Sequence, residues 1–510
     1  MKRLVTAEQM QVIDKAAEAS GVPVSVLMEN AGAALARAAL SLADPSGRFV
    51  VLCGSGNNGG DGLVAARLLA TGGRMVLCAV LGPTDKLGPE PTRNLKALEA
   101  AGVKVAPEPG AFHARPGDVV IDAVFGTGVS RAPEGLFAEA IGRIAVWKQR
   151  GAKVVAADIV SGLNADNGVP YHPCVEAHLT VSFGHLKLGQ VLEPGASMGG
   201  RIELANIGIP NSAEASLLTG TQSWLLEEDD ARGLLPVRRS DTHKGSYGHV
   251  LVVAGSPGKS GAAALAGLGA IRSGAGLVTI ASRPPSLSEA LAHGPELMGV
   301  PLTGQGPLGL GDLDILLGAM KGKQALVIGP GIPVGDGTSG MLRGLIEKFE
   351  GPIVLDADAL NALANDFQHL KASKAQLVLT PHPGEMATLT GKSAAEVKTD
   401  RVALSRSLAK KLNAVVVLKG ARTTITAPDG ELFVNPTGNA GMATAGSGDV
   451  LAGVIGALLA QGLSTVDAAI CGAYSHGLAG DLLAKKTGQL GLVSSDLPRA
   501  LCDVWLAWGR

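Results

Sequence analysis

The chain has 510 residues, of which 46% are hydrophobic and 17% charged. That excludes a disordered polymer and supports two or more domains with sizeable cores. Its 44 basic and 45 acidic residues leave no cationic excess for a nucleic-acid partner, and no apolar run reaches the ~18–20 residues of a membrane span. The opening stretch MKRLVTAEQMQVIDKAAEAS lacks an apolar core, so it does not read as a signal peptide. Five cysteines with no Cys-x-x-Cys pair read as thiols of a reducing, cytoplasmic compartment. The 71 glycines follow no three-residue period, which rules out collagen and suits tight strand-to-helix turns.

In chain order, residues 5–41 carry apolar positions at roughly helical spacing. Short β-branched runs follow at Phe49–Cys53, Met75–Val80, Val119–Val124, Lys153–Ala157 and Leu179–Phe183, separated by helical stretches. Wholly apolar strands on a βαβ rhythm predict a parallel sheet covered on both faces. The small, polar stretch Asn211–Gln222 reads as a linker. A second series comprises His249–Ala254, Leu277–Ala281, Ala325–Gly329, Ile353–Leu355, Leu377–Thr380 and Ala414–Lys419. It continues in a hairpin, Thr423–Thr426 with Glu431–Val434, around Pro428-Asp-Gly430. Helices are expected at Asp449–Gln461, Thr465–Leu483 and Ser495–Trp508. The reading is two unrelated α/β domains, residues 1–215 and 225–510.

In the first domain, the strand Phe49–Cys53 runs into Gly54-Ser-Gly-Asn-Asn-Gly-Gly-Asp-Gly62 and then a helix. A glycine-rich turn lets backbone amides approach a ligand, and a helix start attracts anions. The spacing is not Gly-x-Gly-x-x-Gly, and a plain tight turn remains the alternative. Two further strands end in Asp122-Ala-Val-Phe-Gly-Thr-Gly128 and Asp158-Ile-Val-Ser161-Gly162. One such Asp is ordinarily a helix cap. Three polar strand ends together favour a site at the carboxyl edge of the sheet.

In the second domain, Asn439-Ala-Gly-Met-Ala-Thr-Ala-Gly-Ser-Gly-Asp449 precedes an apolar helix. Small residues there let amides converge on an anion, with an Asp at the edge to take a proton. Thr380-Pro-His-Pro-Gly-Glu385 forms a shaped loop after a strand, and Lys419-Gly-Ala-Arg-Thr423 lies between a strand end and the hairpin. Gly255-Ser-Pro-Gly-Lys-Ser-Gly261 is too short between its glycines for a P-loop, so Lys259 receives no such role.

With Leu27-Met-Glu-Asn-Ala-Gly32, the first set of motifs closely resembles the epimerase domain of NAD(P)H-hydrate repair enzymes, over about residues 1–210. The resemblance implies a Rossmann-like fold. It implies that Asn57, Asn58, Gly59, Gly60 and Asp61, with Gly126, Thr127, Gly128, Val129, Ser130, Arg131 and Ala132, line the hydrated nucleotide. It further implies that Asn58, Asp122 and Ser161 hold potassium, and that Asp158 touches the substrate as the catalytic acid and base.

The second set resembles the ribokinase-like superfamily. Lys244-Gly-Ser-Tyr-Gly248, Asp356-Ala-Asp358-Ala-Leu-Asn361, Thr380–Met386 and Gly446–Asp449 are similar to the ADP-dependent NAD(P)H-hydrate dehydratases, over about residues 225–505. The match implies Asp449 as base and Gly446, Ser447 and Gly448 around the transferring phosphoryl. It places Lys419, Gly420, Ala421, Arg422 and Thr423 on ADP, and Ala262, Gly331 and His382 near the hydrate. Glu385 would order magnesium-bound water. His382-Pro-Gly-Glu385 stands where sugar kinases of the superfamily carry Asn-x-x-Glu. Together the resemblances imply an isomerase fused to a lyase, acting on NADH-hydrate and NADPH-hydrate with ADP, in a homo-oligomer. The alternative is a small-molecule kinase with an N-terminal ligand-binding or scaffold domain.

Overall fold

The computed structural model describes residues 1–215, 220–364 and 366–510. The chain divides into one unit of Arg3–Ser223 and another of Trp224–Arg510 with Met1–Lys2. Of the expected linker, Asn211–Glu214 forms a short helix, and 216–219 lie outside the described residues.

The expected helix over 5–41 is two helices, Ala7–Ala19 and Val24–Leu42. Gly21 in the left-handed region (φ 89°) and Pro23, which has no N–H to donate, interrupt it. Thr6 and Gln9 close the first helix with a reciprocal capping box. Leu4 and Val5 belong to a strand pairing in parallel with Leu186–Lys187. The seven-stranded sheet runs in the order Val105–Ala106, Val76–Val80, Phe49–Cys53, Val119–Ala123, Lys153–Ala157, Leu179–Phe183, Arg201–Ala205. All its pairs are parallel. Val51, Cys53 and Ile121 face one core and Val50, Leu52 and Val120 the other, as an apolar strand covered on both sides requires. The edge strand Arg201–Ala205 escapes the sequence reading because its face is charged and half exposed.

In the second unit the parallel order is Met298–Pro301, Leu277–Ser282, His249–Val253, Ala325–Ile328, Ile353–Leu355, Leu377–Leu379, Val415–Leu418. Thr424–Thr426 and Leu432–Val434 continue it antiparallel, as the hairpin motif predicts. The helix Ser447–Ala460 packs on Ser260–Arg272 so closely that a Cβ on Gly453 would lie 2.0 Å from Ala266 O.

Strand order reverses between Phe49–Cys53 and Val119–Ala123 in one sheet, and between His249–Val253 and Ala325–Ile328 in the other. Each reversal opens a crevice at the carboxyl ends of the strands.

Two candidate active sites at the strand ends

The first crevice is a cavity of about 390 Å³. Ser55, Gly56, Asn57, Asn58 and Asp61 line it from the turn and helix start after Phe49–Cys53. Val124–Gly128 and Asp158 line it from the next two strand ends, with Lys187 beside Asp158. Gly59 and Gly60 lie behind this lining and serve close packing. A Cβ on Gly59 would sit 1.9 Å from Gly54 O, and one on Gly60 2.6 Å from Met28 Sδ. Val129, Ser130, Arg131 and Ala132 continue the loop beyond the lining, with Arg131 and Ala132 exposed.

Asn58, Asp122 and Ser161 are all buried and tie neighbouring loops together. Ser161 Oγ donates to Asp122 Oδ1 at 2.6 Å, and Ser161 N–H to Asp122 Oδ2 at 2.8 Å. Asn58 Nδ2 donates to Phe125 O at 2.8 Å, which leaves Asn58 Oδ1 buried without a partner. An orphaned amide oxygen beside hydroxyl, carboxylate and carbonyl oxygens suits a hard cation.

Asp158 occupies the left-handed region (φ 62°), uncommon for a residue with a side chain. Its backbone is fixed by Gln190 Nε2, which donates to Asp158 O at 2.6 Å. Its carboxylate accepts from Phe183 N–H at 2.9 Å and forms an ion pair with Lys187 Nζ. Lys187 is fully buried, and also donates to Phe183 O at 3.1 Å. The turn amide at Ser161 is capped by Asp122, so Asp158 is free of that structural duty. The sequence reading missed Lys187. The available signal was a lone cation in the apolar run Phe183-Gly-His-Leu-Lys187-Leu, which demands a buried anion.

In the second unit, Gly446 (φ 90°) lets the chain turn into the helix Ser447–Ala460, whose first amides have no partner within the helix. A Cβ on Gly448 would lie 3.1 Å from Lys419 Nζ, so the ammonium stands directly on the small-residue loop. Lys419 Nζ donates to Asp356 Oδ1 at 2.5 Å and lies 3.9 Å from Glu385 Oε2. Burial works against its charge, but Asp356 and Glu385 outweigh that and raise its pKa. Burial, then Asp356, push the half-buried Asp449 carboxyl up to about 7 against the opposing pull of Lys419. A carboxyl titrating near neutrality is suited to take a proton.

His382 caps the helix Pro383–Thr390. Its Nδ1 accepts from the amides of Gly384 and Glu385 at 3.0 and 3.2 Å. Glu385 returns the bond, accepting from His382 N–H at 2.7 Å. Ala262 and Gly331 come together, since a Cβ on Gly331 would lie 3.0 Å from that of Ala262. Gly420 (φ 143°), Arg422 (φ 56°) and the bond from Thr423 Oγ1 to Gly420 O (2.9 Å) shape the loop of Lys419–Thr423. Lys259 is exposed and pairs with Asp358 at 3.2 Å. Among the described residues no group of three His, Cys, Asp or Glu side chains could hold a metal by itself. Sequence reasoning gave no role to two buried groups here. Asp356 has one oxygen without a partner, and His476 has a buried Nε2 without one, while burial pushes its imidazole down to about 4.

A Rossmann-like crevice and a phosphoryl-type anion loop with a near-neutral carboxyl define a two-site α/β enzyme acting on nucleotide-sized substrates. The family model described as NAD(P)H-hydrate dehydratase matches residues 250–502, and that of the YjeF-related protein N-terminus matches 24–189. The bifunctional NAD(P)H-hydrate repair enzyme of Moorella thermoacetica is 42% identical over 97% of this chain and 95% of its own length. That of Escherichia coli is 36% identical over 95% and 90%. A ribokinase-like superfamily protein from Enterococcus faecalis aligns with 27% identity and a TM-score of 0.50, covering 56% of this chain and 96% of that one. The chain belongs to the family of bifunctional NAD(P)H-hydrate repair enzymes, with an epimerase domain followed by a dehydratase domain. The kinase-with-scaffold alternative is not favoured.

Proposed function

We propose that the first unit interconverts the R and S epimers of NADH-hydrate and NADPH-hydrate. The second then dehydrates the S epimer with ADP, giving AMP, phosphate and the reduced nucleotide. The observation that carries this reading is the pairing of Asp158 in one crevice with Asp449 in the other. Each is a half-buried carboxyl at a strand-end loop or helix start, held beside a lysine.

In the first site the hydrate has a hydroxyl on a ring carbon next to nitrogen. Asp158 gives a proton to that hydroxyl, the C–O bond breaks as the nitrogen lone pair forms an iminium, and water leaves. Water returning to the other face restores the hydrate, and the proton goes back to a carboxylate. Lys187 and Gln190 hold Asp158 in its strained geometry. Asn58 Oδ1, Asp122 and Ser161 Oγ would hold a potassium ion, which would fix these loops and supply positive charge when bound.

In the second site Asp449 takes the proton of the ring hydroxyl, whose oxygen attacks the β-phosphorus of ADP. The bond to AMP breaks. Elimination of the ring phosphate, with loss of a neighbouring C–H proton, restores the dihydropyridine. Lys419 and the amides of Gly446, Ser447 and Gly448 stabilise the transferring charge. Gly420, Ala421, Arg422 and Thr423 form the adjoining ADP wall, with Ala262, Gly331 and His382 toward the hydrate. Magnesium would be held through water near Glu385 and the unpaired oxygen of Asp356. Magnesium is commonly bound through substrate phosphates and retained waters with one or two carboxylates, which these two side chains would supply.

We place the enzyme in the cytoplasm, as its free cysteines suggest. No described helix is long and apolar enough to cross a membrane. We read it as a homo-oligomer, a reading that sedimentation tests. The functional test incubates purified protein with mixed hydrates, magnesium and ADP or ATP, following epimers by chromatography. Reduced nicotinamide, AMP and inorganic phosphate are expected. A stable phosphorylated hydrate would overturn the dehydratase reading, and unequal, non-interconverting epimers the epimerase reading.

A further inference from the structure

The epimerase cavity contains a carboxyl group that the mechanism above leaves unused. Asp14 lies on the helix Ala7–Ala19, away from the strand-end motifs, and lines the same cavity as Asp158, Asp61 and Lys187. The helix turns Ile13 and Ala17 into the core and leaves Asp14 at the cavity wall. Among the described residues Asp14 has no hydrogen-bond or ion-pair partner, whereas Asp158 is held by Lys187 and the Phe183 amide. Asp14 is half-buried at the cavity wall, so its unpartnered carboxyl faces the space a substrate would fill.

We propose that Asp14 is a second proton-transfer residue of the epimerase site, serving the ring face that Asp158 does not. This rests on the epimerase reading. Losing water from one face and adding it to the other needs a proton given on the first and taken on the second. One carboxylic acid donates to the departing hydroxyl as the C–O bond breaks and the nitrogen lone pair forms C=N⁺. Water then bonds to that carbon on the other face, the π pair returns to nitrogen, and the other carboxylate takes the proton. One proton enters and one leaves, with no oxidant or reductant. The two carboxyls exchange protonation states in each turnover, so R-to-S and S-to-R conversion start from opposite states.

The electrostatics agree with that task. Burial pushes the Asp14 carboxyl up to about 6, with Asp158 adding to the rise and Lys187 opposing it. Asp61, on the helix Asn57–Thr71, is the third carboxyl facing this space. Burial raises it further, with Asp158 and Asp14 contributing and Lys187 opposing.

The test uses the full chain carrying Asp14→Asn or Asp14→Glu. Epimerisation is followed by chromatography across pH, and dehydration of pure S epimer is measured alongside. Asp14→Asn is expected to lower kcat for epimerisation at least about a hundredfold with little change in KM, to remove the ionisation near pH 6 from the rate profile, and to leave dehydration unchanged. Asp14→Glu should recover part of the rate. A near-wild-type kcat in Asp14→Asn, an effect confined to KM, or a wild-type profile with no ionisation near pH 6 would each overturn the proposal. Burial also pushes the Asp122 carboxyl up to about 6, so the Asp14 ionisation is identified by its loss from the Asp14→Asn profile. Should that variant not fold, Asp14→Ser, which is smaller and still hydrogen-bonds, carries the same test of kcat and profile. Failure of the wild type to interconvert the epimers would instead refute the epimerase reading.

Discussion

Ser161 Oγ donates to Asp122 Oδ1 at 2.6 Å, joining the loop after Lys153–Ala157 to the end of Val119–Ala123. Asp122 also accepts the amides of Ser161 and Val124, at 2.8 and 3.3 Å. One buried carboxylate therefore organises both loops beside the orphaned Asn58 Oδ1.

Asp122→Ala is accordingly expected to weaken potassium activation of epimerisation at least about tenfold, since even groups outside a metal's immediate ligands contribute 10–100-fold. Each buried amide left unpaired should also cost roughly 1–3 kcal/mol of stability. Epimerisation rates over a potassium titration, with thermal melting, check both. Unchanged cation dependence would remove these residues from the ion site.

Asp158→Asn keeps the size of the side chain but cannot exchange a proton. Epimerisation should fall at least about a hundredfold while dehydration continues. Mixed hydrates should therefore be consumed to about the S fraction and then stall. Consumption of the R epimer at the wild-type rate would leave Asp158 a binding group only.

Asp449→Asn should have the complementary effect. Dehydration should be abolished while epimerisation of either pure epimer proceeds, because the cavity around Asp158 draws all its lining from residues 10–207. Loss of both activities in a folded protein would contradict two independent sites.

The pH dependence of dehydration follows from the Asp449 carboxyl near 7. A base must be ionised, so a raised value removes active enzyme at low pH. About half is active at pH 7 and about a tenth at pH 6, and the rate rises with pH through this range. Asp356→Asn removes a like charge and leaves Lys419 less neutralised. Both changes favour ionised Asp449, so the limb should move to lower pH. A limb that stays in place would argue against Asp449 as its origin.

The wholly apolar strands, the glycine-rich turns and the carboxyl-bearing strand ends are legible in the sequence because they are local patterns. A strand covered on both faces is continuously apolar, and a tight turn into a helix uses small residues. The break at Gly21 and Pro23 was legible too, but helical spacing on either side masked it. Short edge strands such as Val105–Ala106 and Arg201–Ala205 have too few buried positions for a pattern.

Tertiary structure decided which chemistry-bearing groups meet. Lys187 is 29 residues from Asp158 and Lys419 is 63 from Asp356, yet each pair is in contact. Such partners stand in or just after different strands, and their spacing is set by chain crossings that no local period records. Gly59 and Gly60 make the same point from the other side: their sequence suggests a ligand loop, while the folded chain uses them to bring a helix against Gly54 and Met28. Local patterns are enough for the two α/β sheets and for the polar strand ends that make the candidate sites. Only the fold decided the charge around each carboxyl, because desolvation and ion pairing depend on distances in space.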